Sequence, residues 1–240
     1  MEQIIGKDWV DWFLNIAILL CAGNYFWTFF NNKAIIGKRF DINDGNQNQL
    51  IHYVTVQYEQ IEHIRQAYIW EIYSVYDNRL TEYRQLFFDN LTKEHRGEEH
   101  SQKFWNELTR GQKIFWSFLA IEGEIDNGGL FQFINNYPEH LYSARQVMVE
   151  LGQDKIIADY DEFLEEVEQK KMKLSWNIWQ SNSPISNQRH RIKAFSDGYK
   201  ILESTDTIED YFDEEDFKRQ WHKAMCDYIE QNIEQFSKVI

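Results

Sequence analysis

The sequence predicts an all-α protein: a compact multi-helix domain with an aromatic-rich helical extension at its N-terminus. Three observations predict this. Only two prolines and 11 glycines interrupt 240 residues. Between them, apolar residues recur at three- and four-residue spacing among Glu, Gln and Lys, the period of a helix with one buried face. No stretch of convincing length alternates polar and apolar residues as a half-buried strand does. A hydrophobic content of 43% and an aromatic content of 16% suffice for a packed core and exclude wholesale disorder.

The first element is "WFLNIAILLCAGNYFWTFF", residues 12–30, which carries no charge and approaches the roughly 20 residues that a membrane-spanning helix needs. Lys33, Lys38 and Arg39 come next, the charge bias of a cytoplasmic flank. Asn15, Gly23, Asn24 and Thr28 lower its apolarity, and the spacing of Trp9, Trp12, Phe13, Ile16, Leu19, Leu20, Gly23, Phe26, Trp27 and Phe30 favours a helix packed on protein. A membrane anchor is the alternative. It is a poor cleaved signal, with a weak positive start and no small-residue cleavage site.

The polar loop "GKRFDINDGNQNQ", residues 37–49, marks the expected boundary between an N-terminal segment 1–47 and a helical domain 48–240. It fails as a calcium loop: Gly45 is fifth from Asp41, not sixth, and His52 stands where a bidentate Glu is needed. Residues 48–90 read as helical, with Ile51, Val54, Tyr58, Ile61, Ile64, Tyr68 and Ile72 on one stripe. A charged turn at 92–100 precedes a helix from 108, with Thr109 as its N-cap. That helix is expected to end near Glu124. Helices are expected at 138–151 and 153–172, separated by a left-handed Gly152. "WNIWQSNSPISNQ", 176–188, reads as a loop, with helices after it at about 189–203 and 213–238.

A formal net charge of −14, from 39 acidic and 25 basic residues, argues against direct binding of nucleic acid and for a basic protein partner. Cys21 and Cys226 form no Cys-x-x-Cys pair, so neither a disulfide framework nor a zinc site is indicated. His222 and Cys226 are four apart on an expected helix but lack further ligands. No cofactor is expected, and a reducing cytoplasm is the default location; the alternative is a membrane-anchored protein whose main domain is cytoplasmic.

The densest motif is "EIDNGGLFQFINN", residues 124–136. Two adjacent glycines permit positive φ, and Asp or Asn can cap the next helix, so it reads as a corner between helices. Glu122, Glu124 and Asp126 are the candidate carboxylates for a hydrolase reading, although no activated Ser, Cys or Lys stands beside them. Gly128-Gly129 lacks the Gly-Lys-Ser/Thr ending of a phosphate loop.

Together with "LTRGQ" (108–112), Ala144, "LG" (151–152) and "CDYIEQNIEQF" (226–236), this motif resembles the bacterial DNA-mimic family of the neisserial type, over about residues 68–238. The resemblance implies an all-helical fold, no catalysis, and an acidic surface that occupies the DNA-binding face of a transcription factor. Glu124, Asp126, Asn127, Gly128, Gly129, Gln132, Phe133 and Asn135 would then mark the fold.

Two acidic tracts can support such mimicry. Asp161, Glu162, Glu165 and Glu166 occupy neighbouring helical positions within 159–169, and Asp206, Glu209, Asp210, Asp213, Glu214, Glu215 and Asp216 fall in a block without Lys or Arg. Helical neighbours three or four apart lie about 5–6 Å from each other, comparable to phosphates along a strand. The sequence thus reads as an acidic, non-catalytic interaction protein that mimics DNA toward a DNA-binding protein. Its rivals are an immunity-type inhibitor of a basic toxin nuclease, a hydrolase, and a membrane-tethered scaffold.

Overall fold

The computed structural model describes Ile36 and residues 39–67, 78–98 and 100–240. Residues 12–30, with their helix and anchor readings, and Tyr68 and Ile72 lie outside the described residues. Among the described residues no helix is long and apolar enough to cross a membrane. The fold is all-α, as the sequence predicts. Its residues group into two compact units, one containing 38–169 and 202–240, the other containing 170–201.

The larger unit is organised on one helix. Helix α5, Arg110–Gly128, is buried at nearly every position from Gly111 to Ile121, which makes it the central element rather than a one-sided surface helix. Its N-cap is Thr109, as predicted. Thr109 Oγ1 accepts the Gln112 N–H at 3.2 Å, and Gln112 Oε1 accepts the Thr109 N–H at 3.0 Å, a reciprocal capping box.

Before α5 come strand β1 (Val54–Val56), α1 (Tyr58–Ala67), α2 (Asn78–Tyr83), a π-helical turn (Arg84–Phe88), α3 (Asp89–Glu94) and α4 (Gln102–Glu107). Here the helical stripe expected from residue 48 is corrected. Val54-Thr55-Val56 are β-branched and pair in parallel with β2, Ser237–Val239, from the far end of the chain. The partner is remote in sequence, so local periodicity carries no trace of it.

After α5, Gly129 turns the chain into α6 (Leu130–Asn136); a 3-10 turn at Pro138–His140 leads into α7 (Leu141–Glu150). Gly152 has φ +66 and, with the Gln153 N–H donating to Met148 O at 2.9 Å, closes α7 as predicted. Helix α8 runs Asp154–Gln169, shorter than the expected 153–172. The helix expected at about 213–238 is α12 (Glu215–Gln231), which stops short because 237–239 form β2. Ahead of it lies a helix that was not expected, α11 (Thr205–Asp213), separated from α12 by Glu214, extended at φ −75, ψ 119. Trp221 on α12 stacks on Phe118 at 4.6 Å and meets Phe212 edge-on at 5.9 Å, binding α11 and α12 to α5.

The rejected calcium loop has a cation of its own. Lys113, fully buried, donates from Nζ to the carbonyls of Asp44 and Asn46, the latter at 2.7 Å. The ammonium ties the loop to α5.

The smaller unit contains a helical hairpin, α9 (Lys171–Asn182) and α10 (Gln188–Gly198). The loop expected at 176–188 shrinks to 183–187, because Leu174, Ile178 and Trp179 bury the face that Ser and Asn dilute in the composition. Asn177 Nδ2 donates to Ala194 O at 2.7 Å, and Asn187 caps α10 by accepting the His190 N–H at 3.0 Å.

Candidate partner-binding surface

The charge of the chain is concentrated. Residues 154–169 hold seven acidic side chains against Lys155 alone, and residues 203–217 hold eight with no base. Together they carry the whole formal net charge of −14, so the remainder of the sequence is neutral in sum.

The fold brings the two segments to one groove. Asp159, Glu162, Glu165, Glu166 and Gln169 on α8 form one wall of a cavity of about 400 Å³; Glu203, Ser204 and Thr207, at the start of α11, form the other. Glu166 joins the walls, accepting the Glu203 N–H at 2.9 Å, the Ser204 N–H at 3.0 Å and the Ser204 hydroxyl. A carboxylate at these orphan amides satisfies them and complements the helix dipole. The Tyr211 hydroxyl donates to Asp159 Oδ2 at 2.7 Å, a second tie between α8 and α11.

The predicted acidic residues divide by environment. Asp161 is gripped by the Arg145 guanidinium on α7, with Nη2 at 2.7 Å from Oδ2 and Nε on Oδ1. That fork holds the Asp161 carboxyl below the usual aspartate range. Glu209 turns inward, accepting the Leu130 N–H at 2.6 Å. Burial raises its pKa, the Leu130 N–H works against the rise, and the charges of Asp206, Asp213 and Asp210 add to it. By contrast Glu162, Glu165, Asp206, Asp210, Asp213, Glu214, Glu215 and Asp216 are exposed. Of these, Asp216 meets Arg219 at 2.8 Å on its own helix.

The family motif lies behind this surface. Helix α5 runs through Asp126, Asn127 and Gly128, not to Glu124 as expected, and Gly129 then adopts φ +85, ψ 177. A Cβ at Gly129 would sit 2.6 Å from Glu209 Oε1, so the missing side chain leaves the space that the Glu209 carboxylate occupies at the corner. Phe133 is fully buried, the Gln132 N–H donates to Gly129 O at 3.1 Å, Asn135 Nδ2 donates to Asn136 Oδ1 at 2.8 Å, and Asn127 is exposed.

The three carboxylates of the hydrolase reading have separate partners. Glu122 is buried against His222 on α12, Glu124 accepts from Asn136 Nδ2 at 2.8 Å, and Asp126 pairs with Lys218 at 2.7 Å. Glu122, Asp126 and His222 line a cavity of about 200 Å³ with Leu80, Leu119 and Arg84; Glu124 is not part of it. His222 thus meets a carboxylate, and Cys226 beside it is buried. Among the described residues no group of three or more His, Cys, Asp or Glu is placed to hold a metal ion.

A family model described as DMP19-like protein matches residues 106–232. The chain belongs to this family. The DMP19-like match covers the corner, both acidic segments and the groove between them, so the resemblance to DNA mimics carried by residues 124–136 holds at the level of the family. No curated protein and no solved structure matches the chain.

Three roles within the DMP19-like region escaped the sequence: the Arg145–Asp161 fork, the Glu166 bond to residues 203 and 204, and Glu209 as acceptor at the corner. One signal bore on them. Asp161 and Glu166 border the buried stripe of Ile156, Tyr160, Phe163, Leu164 and Val167, and border positions are where a charged side chain reaches a neighbouring element.

Proposed function

We propose that the chain is a non-catalytic DNA mimic whose exposed carboxylates on α8 and α11 occupy the basic surface of a DNA-binding protein. The observation that carries this reading is the concentration of the full net charge in two segments that flank one groove. Asp206, Asp210 and Asp213 succeed one another at four and three residues along α11, all exposed, and span about 10 Å of helix rise. Duplex DNA presents a phosphate about every 3.4 Å of axis on each strand, so the row covers about three phosphates. Glu162 and Glu165 extend the charge across the groove on α8.

Glu166 ties α8 to the start of α11, Asp161 ties α8 to α7, and Glu209 ties α11 to the corner at Leu130, while the outer carboxylates meet the partner. Binding consists of charge-assisted hydrogen bonds from Arg and Lys that otherwise contact phosphate. The chain therefore competes with DNA and does not bind it.

The experiment is affinity capture from the native host by the tagged chain, at low and high salt, with identification of the captured proteins by mass spectrometry. The reading expects DNA-binding proteins released by salt. Capture that is unchanged at high salt, or unchanged when Asp210, Asp213, Glu214 and Asp216 are all replaced by their amides, contradicts it.

A further inference from the structure

We propose that the α9–α10 hairpin is a peripheral docking element for an anionic phospholipid surface. Its charge is opposite to that of the acidic groove: residues 170–201 contain seven Lys and Arg against Asp197 alone. Lys173, Arg189, Arg191, Lys193 and Lys200 are exposed.

The same hairpin exposes apolar side chains out of proportion to its size. Met172 is 52% exposed, Trp176 37%, Ile185 74%, Ile192 61% and Tyr199 37%. A single exposed isoleucine needs no explanation, but five large apolar residues interleaved with cations on one hairpin do. On α10, Arg189, Ile192 and Lys193 stand at i, i+3 and i+4 and share a face. Ile185 projects from the loop that joins the helices.

That mixture fits an anionic bilayer, where Lys and Arg meet lipid phosphates while aliphatic side chains leave water below the headgroups. A nucleic acid would use the cations but gives Ile185, Ile192 and Met172 nothing to be buried in.

The test is co-sedimentation of the full chain with vesicles of phosphatidylglycerol and phosphatidylcholine, and with phosphatidylcholine alone. Two exposed-site variants are compared, Arg189→Glu with Arg191→Glu, and Ile185→Ser with Ile192→Ser, each checked for native helix content by circular dichroism. The proposal expects binding to the anionic vesicles, weakened by salt, reduced at least about tenfold by the charge reversal and severalfold by the serine pair. It is overturned if the wild type does not bind these vesicles, or if both variants bind them as tightly as the wild type. Transfer of the variant-sensitive binding to a duplex DNA probe, or to a second copy of the chain, overturns it as well.

Discussion

The inner and outer sides of α11 use the same chemical group for opposite purposes. On the inner side Glu209 is withdrawn against Gly129, accepts the Leu130 N–H, and has its pKa raised by burial. On the outer side Asp206, Asp210 and Asp213 stand in water within a segment that contains no base. Glu209 and Asp210 are adjacent in sequence, yet one helps build the corner and the other stands exposed. Charge density alone therefore does not locate a binding surface; what each carboxylate already holds decides it.

The largest effect is expected on the inner side, at the corner. Gly129→Ala places a Cβ in a backbone region that L-residues avoid and drives it into a pinned carboxylate. An expected loss of about 2–4 kcal/mol of unfolding free energy is measurable by urea titration. Glu209→Ala ranks second: the Leu130 N–H loses its acceptor, at a cost of about 1–2 kcal/mol, while Glu209→Gln keeps an acceptor and loses less.

A pH titration of stability separates two carboxylates that both face the protein. Glu209 is raised in the folded state, so the folded chain binds its proton more readily, and this group's contribution to stability falls as pH rises above the ordinary glutamate value. Asp161 is lowered by Arg145, so its contribution is present above the ordinary aspartate value and is lost as pH falls through the depressed one. Glu209→Gln removes the first slope and Asp161→Asn the second. Asp161 is partly exposed, so the fork contributes less than about 1 kcal/mol.

The smallest effect on stability is expected on the outer side. Asp206→Asn, Asp210→Asn and Asp213→Asn together change the unfolding free energy by only about 0.5 kcal/mol, and relief of like-charge repulsion makes a slight gain the expected sign. A loss as large as that of Glu209→Ala would place these residues in the scaffold and remove the distinction.

Much of the fold was legible because its signals are local. Thr109 with Gln112, the glycines at 129 and 152, and the helical spacing of apolar residues each act within a few positions. The parallel pairing of residues 54–56 with 237–239 was not legible, since its partner lies at the other end of the chain. Leu174, Ile178 and Trp179 continue a helix through a Ser- and Asn-rich run because tertiary packing outweighs weak propensity. For the surface, the acidic tracts were visible as composition, but their meeting at one groove depends on Glu166 reaching residues 203 and 204 and Tyr211 reaching Asp159. Those contacts depend on how α11 docks on α8, which no spacing rule encodes.

DNA mimicry by the outer carboxylates is tested by titrating a captured DNA-binding partner with the wild-type chain and with the Asp206, Asp210 and Asp213 triple-amide variant, in the presence and absence of duplex DNA. Mimicry predicts that duplex and wild-type chain displace each other, that affinity falls steeply with salt, and that the triple variant binds at least about tenfold more weakly while remaining folded. Simultaneous binding of duplex and chain to the partner, or equal affinity of the triple variant, would contradict it.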